Sequence, residues 1–205
     1  MTDLSQALAE ISAIRAQVAR DTQFRGYGPA SIAASGLLAL MVAAAQAYWS
    51  REIGADAIRF LGVWAGTAVI AVTLTAGETI IRARRVHSGF ASSMIQAAVE
   101  QFFPALIVGL LLTGVLVRAA PQQLWMLPGL WALIFSLGVF ASCRFLPRQM
   151  FGVGVWYLAC GLTCLMAASG AKVLSPWAMG VPFGVGQLLV AAVLHYCFEE
   201  SIDEQ

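Results

Sequence analysis

The side chains of this sequence that can do chemistry are few, and most lie near the ends of apolar runs. Glu78 stands four residues before Arg82, the spacing at which a carboxylate and a guanidinium meet on one helix face. Glu100 and Gln101 follow after a short polar stretch that carries Arg84, Arg85 and His87. His195 lies beside Tyr196 and just before Glu199. Deeper in apolar sequence the polar groups are Gln46, Thr67, Thr73, Thr113, Ser136, Thr163 and Gln187. The plain role of the acids is to neutralise nearby arginines where a helix bundle meets lipid headgroups. The chemical alternative is a polar vestibule for an anionic headgroup or a soluble ligand. Its candidate ligand-binding residues are Glu78, Arg82, Glu100, Gln101, Gln187 and His195. Hydrolysis by a carboxylate pair would also need a nucleophile, a metal triad or an oxyanion motif, and none accompanies these acids. No catalytic residue is assigned.

Histidine and cysteine offer a second chemistry. His87, His195, Cys143 and Cys197 fall on one side of the expected topology; four such ligands suit zinc, and two histidines suit haem. The spacing argues against both. There is no CxxC or HExxH pattern, and His195 and Cys197 point to different helix faces. Cys160 and Cys164 share a face, which in an apolar helix reads as packing. No metal and no cofactor is expected. All four cysteines sit in or at the ends of apolar runs rather than in loops, so no disulfide framework is expected.

The elements that carry these residues follow from composition. Of 205 residues, 60% are hydrophobic and only 11% charged, with a mean hydropathy of +0.78. A water-soluble core cannot hide that much apolar surface in a chain of this length. The near-zero net charge of +1 gives no basic field for nucleic acid. A spanning helix needs roughly 20 apolar residues. Six stretches qualify, at about 29–49, 60–81, 99–118, 124–143, 150–169 and 177–197. The expected fold class is all-α: a polytopic membrane bundle of six transmembrane helices in three hairpins, preceded by an amphipathic helix. Arg15, Arg20, Arg25, Arg82, Arg84, Arg85, Arg144 and Arg148 then share one side; Arg51, Arg59, Arg118 and Lys172 share the other. The positive-inside rule places both termini in the cytoplasm, with Trp49, Trp125 and Trp177 at the outer interface.

Residues 1–28 are expected to form a cytoplasmic segment, with no signal peptide because the polar head is too long and too mixed in charge. Leu4, Leu8, Ile11 and Val18 recur at helical spacing, so residues 3–22 read as an amphipathic helix. It either lies in the inner headgroup layer or docks a soluble or membrane protein partner, or a second copy of the chain. Residues 198–205 read as an acidic cytoplasmic tail. Within the span region, Leu61-Gly62-Val63-Trp64-Ala65 matches Pro128-Gly129-Leu130-Trp131-Ala132, and Pro29-Ala30-Ser31-Ile32 matches Pro104-Ala105-Leu106-Ile107. These matches suggest a repeated hairpin. Expected contact faces are Gly62 with Gly66, Ala34 and Ser35 before Gly36, Gly152 with Gly154, and Gly180 with Gly184 and Gly186. Kinks are expected at Pro104, Pro128 and Pro182, and the stretch from Trp177 to Gln187 is the one expected to move.

The run from Ile11 through Arg25-Gly26-Tyr27 and Pro29 into the Ala/Gly/Leu-rich first span resembles an uncharacterised group of bacterial six-helix integral membrane proteins. The likeness covers mainly the first fifty residues, and no functional residue carries over from it. Some members of that group are encoded beside small winged-helix regulators, which implies a membrane component that works with a regulatory partner. Taken together, the leading expectation is a non-enzymatic sensor-like or accessory subunit of the bacterial inner membrane. The rival is a passive or exchange-type carrier of a small or lipidic solute, with a path lined by Gln187 and the threonines. A membrane enzyme, with Glu78, Glu100 or His195 around one pocket, comes third. No spanning stretch holds an ionisable group at its centre, which weighs against a driven pump.

Overall fold

In lipid no water is present to satisfy backbone polar groups, so spanning segments must close their own hydrogen bonds as helices. The computed structural model describes residues 29–53, 57–85, 89–144, 146–171 and 174–203, and there the chain does this throughout. The helices are α1 (Pro29–Ile53), α2 (Ala57–Arg85), α3 (Gly89–Ala119), α4 (Leu127–Ser142), α5 (Met150–Ala171) and α6 (Trp177–Asp203). All six are long and apolar enough to cross a membrane, which makes the chain an all-α multipass membrane protein. The expected amphipathic helix at 3–22 and His87 lie outside the described residues.

The breaks are tighter than the hydropathy suggests. Helix α1 continues through the polar residues Ser50 to Ile53, α2 runs to Arg85, and α3 starts at Gly89. Pro121–Met126 forms a 3₁₀ turn that leads straight into α4. Pro128 sits in the first turn of α4, where its missing N–H would have had no helical partner. The kink expected at Pro128 therefore has no cause, whereas Pro104 and Pro182 do lie inside helices.

The most extensive interfaces join different hairpins, α1 with α6 and α4 with α5. Glycine explains both. A Cβ on Gly36 would sit 2.7 Å from the Gly184 carbonyl oxygen, and one on Gly184 would sit 3.1 Å from that of Gly36. Gly129 and Gly161 repeat this reciprocal approach at 2.9 Å each way. Gly180 lies against Ala43, Gly186 against the Tyr157 ring, and Gly154 against Phe140. Bare backbones let these helices approach where lipid supplies no hydrophobic drive between them. A Cβ built on Gly62 or Gly66 would meet nothing within 4 Å, so the contact face expected there is not used within the bundle among the described residues. Gly152 is equally open, so in that pair only Gly154 makes the contact.

Two apolar clusters stack along the bundle. At the end carrying Trp49, Trp125 and Trp177, Ala39, Ala43, Phe60, Leu61, Trp64, Leu124, Leu127 and Met179 form one cluster. At the opposite end, Ile32, Val139, Met150, Val153, Tyr157, Ala191 and Leu194 form the other, with Phe102, Phe135 and Phe183 against it. Among the described residues, helix α2 contributes only to the first. None of the α3 window Glu100–Ala119 is buried, against 44% of Pro121–Ser142, so α2 and α3 flank a tighter unit made of α1, α4, α5 and α6.

Candidate functional site

The candidate residues derived from sequence are spread over three helices. Glu78 is half-buried near the end of α2, and Arg82 follows one turn on in the same helix. Glu100 and Gln101 are exposed on α3, and His195 is exposed on α6 with its ring 6.2 Å from that of Tyr196. Gln187 is half-buried, and its Cβ lies in the α1–α6 seam opposite Gly36. Helix α2 packs mainly on α1 and α3 mainly on α4, and neither forms an extensive interface with α6 among the described residues. The end of the bundle is shared by α2, α3 and α6. Among the described residues no group of three His, Cys, Asp or Glu side chains is placed to hold a metal. Cys143 closes α4 half-buried.

The deep hydroxyls turn inward on their own helices. Thr67 donates to the Val63 carbonyl at 2.8 Å, Thr73 to Val69 at 2.7 Å and Thr163 to Ala159 at 2.8 Å. Ser35 and Ser136, both buried, donate to Ile32 and Leu133 at 2.7 Å each. Each of these hydroxyls spends its one donor on its own helix and keeps acceptor capacity. A groove of about 570 Å³ is lined by Leu110, Leu111, Gly114, Val115, Arg118 and Ala119, all on the outside of α3 and remote from Gln187.

What holds polar chemistry in the bundle is indole. Trp64 Nε1 donates to Gln46 Oε1 at 2.8 Å, from α2 to α1. Trp131 Nε1 donates to Thr113 Oγ1 at 2.8 Å, from α4 to α3. The partner lies 18 residues back in both cases, and the two tryptophans are the ones aligned by the matched pentapeptides. Thr113 completes its bonding by donating to the Gly109 carbonyl at 2.7 Å. In the third hairpin the indole is on the ascending helix: Trp156 Nε1 donates to the Pro182 carbonyl at 3.1 Å.

Cys164, read from sequence as packing, also has a bonding role. Its Sγ lies 3.6 Å from the Ala178 carbonyl oxygen. Proline at 182 has no N–H to give the carbonyl four residues earlier, so the thiol supplies what α6 cannot. The signal was present in the sequence as the Ala178–Pro182 spacing, although nothing there identifies the donor. Comparison with known proteins adds no assignment: no family model, characterised protein or solved structure matches the chain.

Proposed function

We propose that this chain is a non-enzymatic protein of the bacterial inner membrane that serves as a sensor-like or accessory subunit of a larger assembly. The observation that carries this reading is the open face of α2. Gly62 and Gly66 have nothing within 4 Å, whereas Gly129, the residue that matches Gly62 in the aligned pentapeptide, is closed by Gly161 and Leu165 of α5. Where α4 holds a neighbouring helix, α2 offers the same bare backbone to a partner subunit. The shared indole bonds of Trp64 and Trp131 support the further reading that the first two hairpins repeat one unit. The uneven distribution of arginine supports cytoplasmic termini, with residues 3–22 as a second docking element. The resemblance to six-helix proteins encoded beside regulators points the same way.

The carrier reading has less support, because the threonines it needs are bonded within their own helices. The enzyme reading has less still, because Glu78, Glu100 and His195 lie on three separate helices. Purification from native membranes in mild detergent, with intact-complex mass, tests the proposal. A second protein in fixed stoichiometry, lost in the Leu8→Asp or Gly62→Leu variant, is the expected result. A bare chain or a homo-oligomer would overturn it and put the carrier ahead.

A further inference from the structure

Helix α6 lacks one backbone bond of its own near its start. Pro182 removes the N–H that would close on Ala178, and its ring crowds that carbonyl. Side chains of α5 take over. Cys164 Sγ reaches the Ala178 oxygen at 3.6 Å, and one turn further Trp156 Nε1 reaches the Pro182 oxygen at 3.1 Å. Next along α6, the Phe183 ring packs 5.5 Å from Tyr157 and 5.4 Å from Phe135, centroid to centroid. Beyond it, Gly186 lies directly against the Tyr157 hydroxyl end. A thiol is a weak donor, so this substitution for a backbone bond is a weak one.

Tyr157 is the anomaly in this arrangement. It is 0% exposed, and its hydroxyl has no hydrogen-bond partner among the described residues. A buried, unpartnered hydroxyl costs about 1–3 kcal/mol, whereas phenylalanine would fill the same aromatic cluster at no such cost. Tyrosine at this position is explained if its hydroxyl is used in another arrangement of the helix it touches. Gly186 leaves α6 without a side chain against Tyr157 of α5, while Gly180 and Gly184 face α1.

We propose that α6 hinges at Pro182 between two arrangements. In the one seen here, Cys164 and Trp156 of α5 latch the carbonyls on either side of the break. In the other, the latch is released and the Tyr157 hydroxyl reaches a backbone carbonyl of α6. The device does not depend on whether the chain is an accessory subunit or a carrier, since either can use a helix with two positions.

Amide hydrogen exchange of the full chain in detergent micelles, followed by mass spectrometry over residues 183–189, reads the hinge directly. Trp156→Phe keeps the ring bulk and removes the donor, so exchange over that segment should be about fivefold faster. Tyr157→Phe removes the group that favours the second arrangement, so exchange there should be about fivefold slower. The amides of 108–115 in α3, which packs mainly on α4, report global unfolding and should not change in either variant. Unchanged or faster exchange in Tyr157→Phe overturns the proposal. So does an unchanged rate in Trp156→Phe, or an acceleration that extends equally to α3.

Discussion

Helices α2 and α4 carry the same short pattern, and the bundle uses it differently. Each places a tryptophan that donates across its hairpin to a polar side chain 18 residues earlier. Each places a glycine two residues before that tryptophan. Around Gly129 the glycine is the condition for packing, because a Cβ there would sit 2.9 Å from the Gly161 oxygen and 2.7 Å from Leu165 Cγ. Around Gly62 there is open space. A small residue permits a close helix contact, but it does not supply the second helix. The indole bond, by contrast, forms wherever its own hairpin brings a partner within reach, so it is present in both.

The largest effect expected from this contrast is at the filled glycine. Gly129→Leu should destabilise the protein by about 3 kcal/mol or more, or prevent folding, since the facing atoms include backbone that cannot move away. Gly36→Leu in the α1–α6 seam should behave likewise, with the Gly184 oxygen in the way. Gly62→Leu should cost less than about 0.5 kcal/mol in the isolated chain, a surface-sized effect. Thermal unfolding in detergent ranks all three. A Gly62→Leu loss as large as that of Gly129→Leu would show that α2 is already packed by this chain, and the comparison would collapse.

The indole bonds should give an intermediate effect. Interhelical hydrogen bonds in membranes are worth about 0.6 kcal/mol on average by double-mutant cycles, with a maximum near 1.7. Trp64→Phe combined with Gln46→Leu, and Trp131→Phe combined with Thr113→Val, should yield couplings in that range and similar to each other. Equal couplings would strengthen the view that the two hairpins are copies of one unit. A coupling confined to Trp131 would mean that the α1–α2 contact is incidental.

The number and approximate limits of the spans were legible because lipid forces both length and apolarity on a crossing helix, and 20 residues of sequence record both. Which faces meet was only half legible. Gly180 and Gly184 were read as a contact face and are one; Gly62 and Gly66 were read the same way and are not. The pattern records what a face allows, whereas its neighbour is set by the whole bundle. The vestibule residues were chosen for their charge and for sharing one end of the membrane, a criterion that says nothing of whether α2, α3 and α6 side chains meet. Cys164 was read as packing alone for a different reason. Its importance depends on a carbonyl made needy by a proline on another helix, and that pairing exists only after folding. Tyr157 gives no sequence signal beyond being a tyrosine in an apolar run.

The smallest expected effect discriminates best between the two leading functions. Thr163 is exposed on α5, and its hydroxyl donates to the Ala159 carbonyl one turn earlier, which has its own backbone bond in a regular helix. Thr73 on α2 is arranged in the same way toward Val69. If these faces meet lipid or a partner helix, Thr163→Val and Thr73→Val replace a self-satisfied hydroxyl with a methyl of nearly the same shape. Stability should then change by less than about 0.5 kcal/mol, and solute permeability of reconstituted vesicles should not change at all. A carrier would use such hydroxyls on its path, turning them from the helix backbone to the solute as it passes. An altered permeability in either valine variant, at unchanged stability, would therefore revive the carrier. It would also move the functional surface from the open glycines of α2 to the hydroxyls that the bundle keeps bonded to its own backbone.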